Sequence, residues 1–223
     1  MKIKLLMQAL LKFLSGLLMV GVLLFLPAGT FRYWHAWLFI GALFGPMLLV
    51  GAILLLKSPD LLAKRLNRNE AEAAQKWVVG LSALMFIAGF VIAALDFRFA
   101  WSKLPDWVSL AAAGVLLASY GLFAEVLREN AYLSRVVEIQ EGQHLVDTGL
   151  YGVVRHPMYA ATLLLFLSMP ILLGSVYAFF VFLIYPFLLV KRIRNEESVL
   201  RASLPGYAAY TKKVKYRLVP FIW

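Results

Sequence analysis

The sequence contains no cysteine, and only three of its 223 residues are histidine. Disulfides, thiolate metal ligands and cysteine nucleophiles are therefore excluded. The three histidines do not have the spacing of a zinc site, so no metal site is expected. Neither a G-x-G-x-x-G motif nor a P-loop occurs. A nucleotide-like cofactor would have to be bound by other means.

Hydrophobic residues make up 62% of the chain, well above the roughly 45–50% of a soluble domain. They occur in runs close to the ~20 residues that a membrane-spanning helix needs. We predict an all-α, polytopic membrane bundle of five to six segments in one domain, residues 1–223. The segments are expected at about 5–28, 34–56, 77–95 and 107–127, followed by a helical hairpin at 158–174 and 176–190.

The basic residues are distributed unevenly between the loops, which predicts the orientation of the chain. With the N-terminus inside, the other side holds only Arg32, Arg98 and Lys103, and all remaining lysines and arginines are cytoplasmic. Both termini are then cytoplasmic. The net charge of +10 indicates that the protein is attracted to anionic lipid headgroups rather than to nucleic acid. The membrane would be the inner or plasma membrane of a prokaryote, or the endoplasmic reticulum of a eukaryote.

A short basic helix is predicted between the second and third segments. Ser58, Pro59 and Asp60 are typical of a helix start, with an N-cap, a proline in the first turn and an acid. Leucines then alternate with Lys64 and Arg65, which favours an amphipathic helix lying in the membrane interface. A solvated linker helix is the alternative.

Ionisable residues are expected to lie outside the centre of every predicted segment. Ion pumps, proton relays and transporters of charged substrates usually need such residues within the membrane. A transport function is therefore disfavoured.

Two polar clusters flank the predicted hairpin, one at about 140–159 and one at 191–197. If the hairpin crosses the membrane and returns, both clusters face the cytoplasm and can meet. Arg192 and Glu196 are four residues apart and share a helix face. An exposed ion pair is the alternative explanation for them.

His156 precedes Pro157, which favours an extended backbone at the histidine and suits the first turn of a helix. The His156 ring would then lie near a helix N-terminus, with Tyr159 in the first turn, and this position favours an electron-rich ligand group. An interfacial His and Tyr that anchor the helix are the alternative.

Several motifs in the last third resemble the isoprenylcysteine carboxyl methyltransferase family. They are Asn130-Ala131-Tyr132-Leu133-Ser134, Val137-Glu138-Ile139-Gln140, the run 150–159 with Arg155-His156-Pro157-Met158-Tyr159, Arg192-x-x-x-Glu196-Glu197, Gly206-Tyr207-x-x-Tyr210 and Val219-Pro220. The match covers roughly 130–223. Arg-His-Pro-x-Tyr alone is shared with membrane sterol reductases that bind a nicotinamide cofactor, whereas the combination is specific.

The resemblance implies a membrane enzyme that binds S-adenosyl-L-methionine, with residues 1–127 as a four-helix scaffold and 128–223 as the cofactor-binding and catalytic part. It implies cofactor contacts from Gln140, Gln143, His144, Leu145, Val146, Tyr151, His156, Tyr159 and Glu196. It also implies that Arg192 contacts the substrate carboxylate, so that Arg192 and Glu196 are the expected catalytic pair.

The predicted reaction is methyl transfer to a lipophilic acceptor, most simply carboxyl O-methylation of a prenylcysteine-like molecule. Transfer to a lipid amine or thiol, a nicotinamide-dependent reduction, and a non-enzymatic membrane binding or scaffold protein are the alternatives. The expected partners are this acceptor and membrane lipids, without nucleic acid or an obligate protein partner.

Overall fold

The computed structural model describes residues 2–66, 73–130, 132–133 and 142–223. Within these ranges the secondary structure is helical. The helices are α1 Lys2–Ala28, α2 Trp34–Lys57, α3 Pro59–Leu66, α4 Ala73–Phe99, α5 Asp106–Glu129, α6 Pro157–Leu172, α7 Val176–Phe182, α8 Tyr185–Ser203 and α9 Tyr207–Lys213, with a 3-10 turn at Gly149–Gly152 before α6.

The described part of the chain has five stretches long and apolar enough to cross a membrane: Ile3–Ala28, Trp34–Lys57, Lys76–Phe99, Asp106–Glu129 and Val176–Ser203. Helix α6, Pro157–Leu172, is apolar but shorter. The prediction of an all-helical, polytopic membrane bundle is confirmed, and the chain is an integral membrane protein.

The turn after α6 contacts two of the earlier interhelical connections. Tyr33, between α1 and α2, donates its hydroxyl hydrogen to the Leu173 carbonyl at 2.6 Å. Ser175, which caps α7, lies 2.5 Å from the carboxylate of Asp96 near the end of α4. The α6–α7 turn therefore lies at the same end of the bundle as the α1–α2 and α4–α5 connections.

An aromatic core joins the hairpin to the earlier helices. The Phe86 ring of α4 lies 4.8 Å from Phe166 of α6 and 5.4 Å from Phe182 of α7, measured between ring centroids. Phe166 in turn meets Tyr185 of α8 at 4.6 Å. Gly89 permits the close approach of α7, because a Cβ at that position would overlap the Phe182 ring. This packing fixes the start of α8, and so the direction in which its polar end points.

Three features differ from the sequence prediction. Helix α4 continues beyond the predicted end at 95, so that Asp96, which the prediction leaves outside the segment, is helical and buried. The second arm of the hairpin breaks between α7 and α8, because Pro186 has no N–H for the Phe182 carbonyl. Helix α9 follows Gly206, which has a left-handed φ of 84°, and it lies in a stretch where the sequence indicates no helix.

Candidate active site

An open cavity lies at the end of the bundle opposite the α6–α7 turn, with about 870 Å³ of empty space including its mouth. Its walls come from the loop before α6, from the start of α6, from α8 and from α9. The lining residues are Asn130, Tyr132, Leu133, Gln143, His144, Leu145, Val146, Tyr151, Arg155, His156, Met158, Tyr159, Arg192, Glu196, Val199, Leu200, Leu204, Tyr207 and Tyr210.

The predicted site residues that the structure describes all line this one cavity: Gln143, His144, Leu145, Val146, Tyr151, His156, Tyr159, Arg192 and Glu196. Gln140 lies outside the described residues. The two polar clusters, which are far apart in sequence, therefore meet as the hairpin hypothesis requires.

His156 is held in place by the chain on either side of it. Pro157 opens α6, and the His156 ring is buried at its N-terminus. The backbone N–H groups of Arg155 and His156 donate to the carbonyls of Tyr216 and Arg217, both at 2.9 Å. The tail after α9 therefore forms a strap, residues 214–217, across the base of the cavity.

Tyr159 connects the two residues of α8 that the sequence places on one helix face. Arg192 donates from Nε to the Tyr159 hydroxyl at 2.8 Å. The same hydroxyl lies 2.5 Å from Oε2 of Glu196 and donates to it. The His156 Nδ1 atom is 4.0 Å from Oε1 of Glu196. Cation, hydroxyl, carboxylate and imidazole thus form one contiguous polar wall.

Glu197 is the residue that sequence reasoning missed. Its buried carboxylate accepts hydrogen bonds from Arg155 Nε at 2.7 Å and from Arg217 Nε at 3.0 Å. His156 Nε2 lies 3.4 Å from the same group. The sequence does contain a signal for this residue, because Glu197 follows Leu189 and Ile193 at a spacing of four and so shares a helix face with two apolar residues. All three residues are buried in the structure. This periodicity indicates that Glu197 faces the interior.

The Arg155 side chain is also buried and makes its hydrogen bonds within the protein. Its Nη1 atom donates to the carbonyls of Val214 and Lys215, at 2.7 and 2.8 Å. Together with its bond to Glu197, this ties the start of α6 to the strap. Arg155 therefore builds the cavity floor.

The loop before α6 is fixed at Tyr151. Asn130 donates from Nδ2 to the Tyr151 hydroxyl at 3.0 Å, and Tyr210 donates its hydroxyl hydrogen to the Tyr151 carbonyl at 2.6 Å. Burial raises the pKa of Tyr151 to about 12, although the Asn130 hydrogen bond opposes this shift. Tyr151 thus stays protonated at neutral pH.

The cavity rim is contacted by α3. Arg65 Nη1 lies 3.6 Å from the sulfur of Met158, and Lys64 Nζ lies 5.8 Å from the centroid of the Tyr132 ring. Both Met158 and Tyr132 line the cavity. The predicted short basic helix is confirmed, and it borders the site.

Within the described ranges, no group of His, Asp or Glu side chains could hold a metal ion. The site offers instead mixed charges, aromatic hydroxyls and apolar side chains from α8 and α9. Such a lining can hold an organic molecule that carries charged and flat apolar parts.

Residues 107–202, from the start of α5 to the end of α8, match the model of the isoprenylcysteine carboxyl methyltransferase (ICMT) family. The similarity to this family lies in that segment, which is less than half of the chain. The match includes both polar clusters and ends before α9 and the strap. The family resemblance in the last third is therefore confirmed.

Two curated relatives are sterol reductases. The chain is 34% identical to Delta(14)-sterol reductase TM7SF2 of Mus musculus over 85 residues, which are 37% of this chain and 20% of that protein. It is 26% identical to Delta(14)-sterol reductase of Methylotuvimicrobium alcaliphilum over 135 residues, 54% of this chain and 32% of that protein. The match thus spans a third or less of each relative.

Proposed function

We propose that this protein is a membrane-bound, S-adenosyl-L-methionine-dependent methyltransferase that acts on a lipophilic acceptor. The family match over 107–202 supports methyl transfer. The observation that carries the proposal is the convergence of Arg192, Tyr159, Glu196 and His156 on one wall of a single cavity.

The residues present fit a cofactor of this type. S-adenosyl-L-methionine supplies a methyl group activated by a positively charged sulfur. Glu196 offers a carboxylate for cationic or hydroxyl groups, and the apolar side chains of Leu145, Leu200 and Leu204 line the same space. The buried hydroxyl of Tyr207 has no hydrogen-bond partner among the described residues, which leaves a polar group available to a ligand.

The division of labour that we propose follows from charge. Arg192 orients an anionic acceptor, while Glu196 and His156 hold the cofactor. A C-terminal carboxylate has a pKa of about 3.5, so it is already ionised and requires no general base. Catalysis then consists mainly of positioning the two reactants and excluding water from between them.

The acceptor that we favour is a prenylcysteine-like carboxylate. Its hydrocarbon tail would remain in the bilayer, with each buried CH₂ contributing about 0.8 kcal/mol. An amine or thiol acceptor must lose a proton, and His144, His156 or Glu196 would be the groups to accept it. We propose further that residues 1–127 serve as scaffold and 128–223 as the catalytic part, with the cavity facing the cytoplasm.

A nicotinamide-dependent reduction is the second candidate, because the curated relatives described above are sterol reductases. Both candidates use a cavity at the same place but require different cofactors. Titration calorimetry of the purified protein therefore discriminates them. We expect binding of S-adenosyl-L-methionine and none of NADPH; the opposite result would replace the first function by the second.

The acceptor is tested by methyl transfer from radiolabelled S-adenosyl-L-methionine. Farnesyl-cysteine derivatives, lipid amines and small thiols are compared side by side in the same detergent. We expect label in the farnesyl-cysteine product, released by mild base as expected for a methyl ester. Label only in the amine or thiol products would contradict carboxyl methylation while retaining methyl transfer.

A further inference from the structure

The Tyr207 hydroxyl differs from the other polar groups around the cavity. Tyr207 lines the cavity, the residue is only 3% exposed, and the hydroxyl has no hydrogen-bond partner in the described part of the chain. Most buried side-chain polar atoms in proteins are hydrogen-bonded, and an exception calls for an explanation. A ligand that completes this bond is such an explanation.

Tyr210 provides an internal comparison. It lies three residues further along α9, lines the same cavity and is equally buried. Its hydroxyl donates to the Tyr151 carbonyl at 2.6 Å. Tyr210 therefore has a structural role that accounts for its hydroxyl, whereas the structure gives the Tyr207 hydroxyl none.

The surroundings of Tyr207 indicate what kind of group it could contact. Leu204, Tyr210 and Val214 form a buried cluster with it, and Leu145 and Leu200 pack against this cluster. A flat, apolar ring system would be complementary to these side chains. Burial, and then the Glu197 carboxylate, raise the pKa of Tyr207, so the hydroxyl keeps its proton and can both donate and accept.

We propose that the Tyr207 hydroxyl binds the polar edge of the cofactor's nucleobase, with the base lying among Leu145, Leu200 and Leu204. A purine combines flat apolar faces with polar edge atoms, which is what this corner of the cavity can accommodate. This inference rests on the proposed function in one respect, namely that an adenine-containing cofactor occupies the cavity. It adds a binding residue from α9, beyond the segment that the family match covers.

The test compares Tyr207→Phe with Tyr210→Phe in the full-length protein. The probes are S-adenosylhomocysteine, and 5′-methylthioadenosine, which retains the base but lacks the amino-acid part. Tyr207→Phe should weaken the binding of both probes by about three- to tenfold, as for the loss of one hydrogen bond. It should not lower the melting temperature of the ligand-free protein, because no bond within the protein is lost. Tyr210→Phe should lower that temperature.

Equal affinity of wild type and Tyr207→Phe for S-adenosylhomocysteine would overturn the inference and leave the proposed function intact. A loss confined to S-adenosylhomocysteine, with methylthioadenosine unaffected, would also overturn it, because the contact would be at the amino-acid end. If the wild type binds NADPH instead, the proposed function fails. The same pair of variants, titrated with that adenine-containing cofactor, then decides the role of Tyr207.

Discussion

Glu196 and Glu197 are adjacent in the sequence, yet their carboxylates have different surroundings. The Glu196 side chain is 25% exposed and lines the cavity, whereas that of Glu197 is 5% exposed and is bonded to Arg155 and Arg217. One helix turn therefore supplies a group that can meet a ligand and a group that holds the site together. The two residues should respond differently to substitution.

Glu197→Ala should destabilise the whole fold. The substitution leaves Arg155 buried without its carboxylate, and breaking a buried ion pair from one side costs about 3–5 kcal/mol. Thermal unfolding in detergent, followed by circular dichroism, should show a clearly lower melting temperature. Glu125→Ala is the control, since its partner Arg128 is 74% exposed and that pair should matter little. Equal melting temperatures for Glu197→Ala and wild type would contradict a structural role.

Arg192→Ala should impair use of the acceptor more than binding of the cofactor. Hydrogen bonds to charged groups contribute about 1.5–3 kcal/mol, so kcat/KM for the acceptor should fall by roughly ten- to a hundredfold. The affinity for S-adenosylhomocysteine should change by about twofold or less. Arg194→Ala serves as the matched control, because this arginine is exposed on the same helix. An equal loss in both variants would argue against an acceptor contact at Arg192.

Glu196→Ala and His156→Ala should weaken cofactor binding by about tenfold each, as for the loss of a charge-assisted hydrogen bond. Calorimetric titration with S-adenosylhomocysteine measures this directly. Asp147→Asn is a suitable control near the site, because the Asp147 carboxylate pairs with Lys213 at 2.9 Å and does not line the cavity. Unchanged affinity in both variants would overturn the assignment of the cofactor wall.

Gly149→Ala should disturb the loop before α6. Gly149 has a φ of 54°, and a Cβ there would overlap the Glu129 carboxylate, which accepts from the Leu150 N–H at 3.0 Å. Backbone strain of about 1–3 kcal/mol and the loss of this bond should lower both the melting temperature and the cofactor affinity. Gly142→Ala is the control that introduces backbone strain without a steric overlap. The φ of Gly142 is 69°, and no described atom lies near the position that a Cβ would occupy. Similar effects of both substitutions would show that the Glu129 contact is unimportant.

The absence of native cysteines makes the predicted orientation directly measurable. Lys212→Cys and Lys103→Cys place single thiols on exposed residues at the cavity end and at the opposite end of the bundle. In intact cells, an impermeant maleimide added outside should label position 103 and leave position 212 unlabelled. The reverse pattern would place the cavity on the other side of the membrane.

The fold follows largely from hydropathy. Runs of apolar residues predict each long helix, because a spanning helix has to satisfy its backbone internally and expose apolar side chains. Hydropathy does not register the break at Leu183–Ile184, since Pro186 acts by lacking an N–H within an apolar run. Helix α9 has only seven residues of mixed polarity and packs through Tyr207 and Tyr210, so its length and composition give little local signal.

The sequence predicts some features of the candidate site and not others. Helical spacing predicts that Arg192 and Glu196 share one face, whereas the cofactor contacts of residues 143–146 are implied only by the family resemblance. The Tyr159 hydroxyl lies between the side chains of Arg192 and Glu196 because of the way α6 and α8 cross. The spacing of residues within one helix contains no information about that crossing. The burial of Glu197 likewise depends on Arg155 and Arg217, which lie in other parts of the chain.

The strap at 214–217 has a consequence for biogenesis. Arg155 and His156 are anchored to the carbonyls of Tyr216 and Arg217, and these two residues follow α1 to α8 in the order of synthesis. The helices can therefore enter the bilayer while the pocket is still open at its base. Competence to bind ligand should arise only after α1 to α8 have been inserted, as a separate maturation step in which residues 214–217 fold back onto α6.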